Sequence, residues 1–125
     1  LDLWVVLYTN DFDLECLRPH LDLCDAVMMW TWQASDLVHL EKNFARLEDI
    51  AVNNRKILGL YMYDYGARRP MPVDLMEMQC EMGLRWLREG RIEGMIFLAS
   101  CICDLGLDAV EWTQSWIAKV GDQKI

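Results

Sequence analysis

Ile57-Leu58-Gly59-Leu60-Tyr61-Met62-Tyr63 is an uninterrupted apolar run of seven residues. Seven residues is the length of a strand rather than of a helix. A strand with one wet face would alternate apolar and polar side chains, and this one does not. It therefore reads as a strand buried on both faces, the habit of parallel sheets. Residues 3–9, 26–32 and 94–99 form three more such runs. A helical pattern follows each of the four runs, and that alternation implies parallel strands covered by helices.

The helical segments are legible in outline. Over residues 11–24, Leu14, Leu17, Leu21 and Cys24 recur at helical spacing, with Pro19 bending or shortening the helix. Over residues 35–52, Ser35 serves as N-cap, and Leu37, Leu40, Phe44, Leu47 and Ala51 form the buried stripe. Over residues 73–89, Pro72 suits the start, Met76, Cys80, Leu84 and Leu87 face one way, and Gly90 ends the helix. Over residues 108–120, Asp108 caps and Ala109, Thr113, Trp116, Ile117 and Val120 give the apolar face.

The predicted fold class is thus α/β, with four parallel strand–helix units over residues 1–125, equivalent to half of a (β/α)8 (TIM) barrel. Half a barrel does not close by itself. The chain reads as a piece of a longer enzyme docking on a missing N-terminal half-barrel, or as one half of a homodimer paired through its open edges. The absence of an initiator Met points to processing or excision. A doubly wound fold would carry a Gly-rich phosphate turn after the first strand, where this chain has Thr9-Asn10-Asp11-Phe12.

Composition excludes several function classes. The net charge of −8 disfavours nucleic acid and anionic membrane surfaces, which need a basic face. No apolar run approaches the roughly 20 residues that cross a bilayer, and the chain opens on a strand-like segment rather than a signal peptide. Of the five cysteines, Cys16, Cys24 and Cys80 fall in apolar periodicity and read as small buried hydrophobes. Cys101-Ile102-Cys103 is closer to a motif, but His20 and His39 fall on other elements, so no metal site and no cofactor are expected. Ser100 has neither a nearby His nor a Gly-x-Ser-x-Gly elbow. Met71, Met76, Met78 and Met82 read as core packing, and Glu41, Lys42, Arg46, Glu48 and Asp49 as a solvated helix face. Nothing in the sequence specifies a cellular compartment.

Ligands of parallel sheets bind at the C-terminal ends of the strands. Those ends are Tyr8–Asp11, Trp30–Gln33, Tyr61–Tyr65 and residues 100–104, and they are crowded with Tyr and Trp beside amides and carboxylates. Alternation places Leu58, Leu60 and Met62 toward the helices and Gly59, Tyr61 and Tyr63 toward the interior; by analogy Trp30 and Trp32 also point inward. Flat rings stack on the C–H faces of sugars while polar groups bond the hydroxyls.

In Trp30-Thr31-Trp32, Tyr63-Asp64-Tyr65-Gly66 and the Tyr8–Asp11 stretch, the chain resembles the (β/α)8 glycoside hydrolases, as strands five to eight of such a barrel. The resemblance implies carbohydrate as the partner, with Tyr8, Asn10, Trp30, Trp32, Tyr63 and Arg68 as substrate contacts. A glycosidase also needs two carboxyl groups. The candidates are Asp64 and Asp11; by parity Asp64 lies on the Leu58–Met62 face, and the alternative for it is to fix a loop with Arg68 or Arg69. Asp11 is as well suited to capping. A second reading is a non-catalytic structural or interaction half-domain whose aromatic cluster is buried against a partner. An isomerase or aldolase lacks its strand-end Lys or metal cluster.

Overall fold

The computed structural model describes residues 1–99 and 102–125. Ser100 and Cys101, part of the fourth strand end and of the Cys-Ile-Cys motif, lie outside the described residues. The order of elements is β1 (Trp4–Tyr8), a 3₁₀ turn (Thr9–Asp11), α1 (Leu17–Leu21), β2 (Ala26–Trp30), a 3₁₀ segment (Ala34–His39), α2 (Leu40–Ile50) and β3 (Arg55–Tyr61). There follow a hairpin of β4 (Tyr63–Asp64) and β5 (Arg69–Pro70), then α3 (Val73–Arg88), β6 (Gly94–Leu98) and α4 (Asp108–Val120). No helix among the described residues is long and apolar enough to cross a membrane.

The main sheet is four-stranded and parallel, in the order β1-β2-β3-β6. The fold class is α/β, as the alternation of apolar runs implies. The sheet never reverses direction, so right-handed crossovers carry every connection over the same face. Register partners share a face, and the pairings Leu7↔Met29, Met29↔Leu58, Leu58↔Met95 and Leu60↔Phe97 define the covered one. A Cβ on Gly83 of α3 would lie 2.6 Å from Met95 and 3.0 Å from Leu58, so a bare glycine lets that helix sit directly on the sheet. Phe97 meets Trp116 of α4 at 6.1 Å on the same side. Each fully buried side chain of this layer contributes roughly 1.5–3 kcal/mol, and Val27, Met29, Leu58 and Leu60 are all sealed from solvent.

The opposite face carries Trp4, Val6 and Tyr8 from β1, Met28 and Trp30 from β2, Ile57, Gly59 and Tyr61 from β3, and Ile96 and Leu98 from β6. Among the described residues no helix covers it, and Trp4, Val6 and Leu98 stand 47%, 44% and 37% exposed.

Several boundaries differ from the sequence reading for physical reasons. The first helix contracts to five residues, Leu17–Leu21, with Pro19 in its first turn, where no backbone N–H is missed. Leu14 and Cys16 are exposed; Cys16 is therefore not a buried hydrophobe, whereas Cys80 is, and burial pushes its thiol up to about 12. Asn54, buried, donates to the Leu21 and Cys24 carbonyls at 2.9 and 2.6 Å and closes the end of α1. The segment from Ala34 to His39 winds as 3₁₀ before α2 begins. Gly90, with φ of 70°, ends α3 as expected. Its N–H reaches Leu87 O at 3.1 Å and the Arg91 N–H reaches Trp86 O at 2.9 Å, a Schellman motif. That turn aims Arg91 at the surface of α2, where it bonds both Glu48 oxygens (3.0 and 2.7 Å) and Glu41 (3.0 Å). The same guanidinium lies over the stacked rings of Phe44 and Trp86, 5.0 and 5.4 Å from their centres. Glu41 and Glu48 are thus tied to Arg91 rather than simply solvated.

Gly59 lies beneath Trp30: a Cβ there would sit 2.2 Å from the indole ring. Gly59→Ala should therefore cost about 1–3 kcal/mol through overpacking. Urea unfolding measures it, and an unchanged midpoint would contradict this close approach.

Candidate functional site

The C-terminal ends of β1 and β2 frame an open cleft of about 420 Å³ lined by Tyr8, Asn10, Asp11 and Trp32. Tyr8 is the last residue of β1, and the chain then turns through the 3₁₀ segment that brings Asn10 and Asp11 to the rim. The Asp11 carboxylate accepts the Tyr8 N–H at 3.4 Å, so it holds the turn while it lines the cleft.

Trp32 stands two residues beyond β2 and is 41% exposed, yet it is held on several sides. Its ring meets Tyr8 edge-on at 5.7 Å and Tyr61 edge-on at 6.0 Å, and stacks on Tyr65 at 5.8 Å. Tyr61 in turn packs on Trp30 at 4.6 Å and on Tyr65 at 4.9 Å. The Tyr8 and Tyr61 hydroxyls are 3.3 Å apart. Burial, then the Tyr8 hydroxyl, pushes the Tyr61 phenol above its ordinary value, so it stays protonated and able to donate. Trp30 and Tyr61 occupy the uncovered face of the sheet, the side that alternation assigns them. Among the described residues the buried Trp30 indole N–H meets no acceptor.

Asp64 lies away from the cleft. It is 1% exposed, and its Oδ1 accepts the N–H groups of Ala34 (3.2 Å) and Ala67 (3.1 Å). Its Oδ2 accepts Arg69 Nε at 3.4 Å. These bonds tie the loop after β2 to the hairpin after β3. Gly66 completes the junction: its N–H reaches Trp32 O at 3.2 Å, and a Cβ there would lie 2.1 Å from the Gln33 side chain. Tyr63 packs on Tyr65 at 5.2 Å within that hairpin, and Arg68, with φ of 55°, stands exposed at its tip.

Of the residues singled out in the sequence, Tyr8, Asn10, Asp11 and Trp32 come together around the cleft. Trp30 lies beneath them, and Tyr63, Asp64 and Arg68 belong to the hairpin. Tyr61 and Tyr65 are the supports that the sequence reading leaves out of the site. Tyr61 was accessible by parity alone, whereas Tyr65 reaches Trp32 only because the chain folds back through β4 and β5. Among the described residues no group of three or more His, Cys, Asp or Glu side chains converges as a metal site would require.

No protein-family model matches this chain, and neither a curated protein nor a solved structure is found to be similar to it.

Asp64→Ala strips an acceptor from two loop amides and a partner from Arg69. It should lower stability by about 1–3 kcal/mol, more than Asp64→Asn, which keeps one oxygen. Denaturant unfolding followed by tryptophan emission tests this; equal midpoints for Asp64→Ala and the parent would show that the junction is not held by Asp64.

Proposed function

We propose that this chain binds carbohydrate at the C-terminal ends of β1 and β2, with Trp32 as the stacking platform. The observation that carries the reading is an indole left 41% exposed at a strand end although three aromatic rings hold it in place. A ring fixed in this way loses little freedom when a sugar stacks on it. Asn10 and Asp11 supply a donor–acceptor pair of groups for hydroxyls beside it.

On this reading the chain is a half-barrel resembling the C-terminal halves of (β/α)8 glycoside hydrolases. The support is a parallel sheet that never reverses direction, with helices over one face. Hydrolysis needs a pair of carboxyl groups across the scissile bond. Asp11 is the carboxylate at the cleft, while the hydrogen bonds of Asp64 commit it to the loop junction. The chain alone is therefore proposed as a binding unit, with any second catalytic carboxyl coming from a partner half. Trp32→Ala should weaken oligosaccharide binding at least about tenfold, as lost ring area predicts. Calorimetry against a panel of neutral and charged oligosaccharides checks it, and a parent protein that binds none of them ends the proposal.

The uncovered sheet face favours a second, interaction-based reading, in which two copies close an eight-stranded barrel by pairing β6 of each with β1 of the other. The accessible surface is 7475 Å², against about 6,900 Å² expected for a monomer of 14.7 kDa. Light scattering should then return twice 14.7 kDa, and Val6→Lys, which puts a charge on the uncovered face, should return the monomer. A parent protein that is monomeric at micromolar concentration removes this reading.

A further inference from the structure

We infer that the cleft selects sugars that carry a protonated amine, an inference that rests on the carbohydrate reading above. The cleft joins two features that a neutral sugar uses poorly. The first is an unneutralised carboxylate. Among the described residues Asp11 receives only the long 3.4 Å bond from the Tyr8 N–H, and no cation pairs with it. Arg46, the basic group that reaches this loop, is taken by Asp13 instead. The second is a corner of aromatic rings: Tyr8 and Trp32 stand at 89° with centres 5.7 Å apart, and both line the same cleft as Asp11.

A sugar hydroxyl offers Asp11 one neutral donor. An ammonium group offers up to three donors and a full charge, and hydrogen bonds of that kind are about twice as strong. The same cation is attracted by the ring faces beside it. The chain's net charge of −8 draws cationic ligands toward the surface in general, and repels acidic sugars. The cavity between β6 and α4 is lined by Met62, Phe97, Cys103, Val110, Thr113, Gln114 and Ile117, without a carboxylate. The one beside Trp4 holds Glu93, but that carboxylate is paired with Arg55 at 3.7 Å.

The test titrates the full chain, by tryptophan emission at pH 6, with three trisaccharides of β1,4-linked units: glucosamine, N-acetylglucosamine and glucose. Spermidine is the sugar-free cation control. The amino trimer should bind about tenfold more tightly than either neutral one, as a charge-assisted contact implies. That ratio should shrink as salt is raised toward 1 M. Asp11→Asn should bring the ratio below about threefold; should that variant fold poorly, the salt response of the parent decides the point by itself. Equal binding of all three trimers overturns the inference and leaves the carbohydrate reading standing. Spermidine binding as tightly as the amino trimer also overturns it, since the site would then read charge without the sugar. Binding of none of the trimers removes the carbohydrate reading and this inference together.

Discussion

The one constraint behind the rest of the molecule is a parallel sheet whose helices all lie on one face. Strand order β1-β2-β3-β6 advances without reversal, so the helices accumulate on the side of Met29, Leu58, Leu60, Met95 and Phe97. That layer is closed by close approach at Gly83 and by the α3–α4 contact in which Trp116 Nε1 donates to Glu81 at 2.7 Å. The opposite face has no helix over it among the described residues: the aromatic rings bury Trp30 and Tyr61 at its C-terminal end, while Trp4, Val6 and Leu98 stand exposed. Such a face and two unpaired edges are features that folds ordinarily avoid leaving in water.

Parallel strands also bring all their C-terminal ends to one side of the molecule. Here that side becomes an aromatic platform rather than a set of loose loops. Trp30 is buried against Gly59 and Tyr61, and Tyr61 and Tyr65 then support Trp32 at the surface. A buried carboxylate, Asp64, holds the loop beneath them by accepting two backbone amides and one guanidinium N–H. Burying that charge is tolerable only because every one of these donors is aimed at it. The platform is thus buried at Trp30 and Tyr61 and open where Trp32 meets Asn10 and Asp11.

A different kind of closure operates at the far side of the helical layer. The Schellman turn at Gly90 sets Arg91 over Phe44 and Trp86 while Glu48 and Glu41 bond its edge. The Arg91 hydrogen bonds hold the Glu48 carboxyl below its ordinary range. One side chain therefore joins α2, α3 and the entry to β6. Periodicity could mark Glu41 and Glu48 as outward-facing, but their partner lies 50 and 43 residues away in sequence, and no local pattern announces it.

The α/β class, the four strands of the main sheet and most of the buried stripe on α2, α3 and α4 were legible in the sequence, because periodicity of apolar residues reports burial directly; Leu14 before α1 and Ile117 of α4 fall on expected apolar faces and stand exposed. The sequence by itself also determined that Tyr and Trp gather at strand ends, and that Gly59 and Tyr61 share a face. Tertiary structure alone decided which of those residues meet. For Asp64 the sequence left catalysis and loop fixing with Arg68 or Arg69 both open; the hairpin buries it among the Ala34 and Ala67 amides and beside Arg69. Asp11 looked like a local cap, and it is one, but the neighbouring strand brings Trp32 across from it to make a cleft. The first helix shrank because Pro19 bars an earlier start and Asn54, from beyond α2, bonds the carbonyls at its end. Local spacing fixes which face a side chain takes. Its partner depends on chain segments tens of residues away, and only the folded arrangement brings those together.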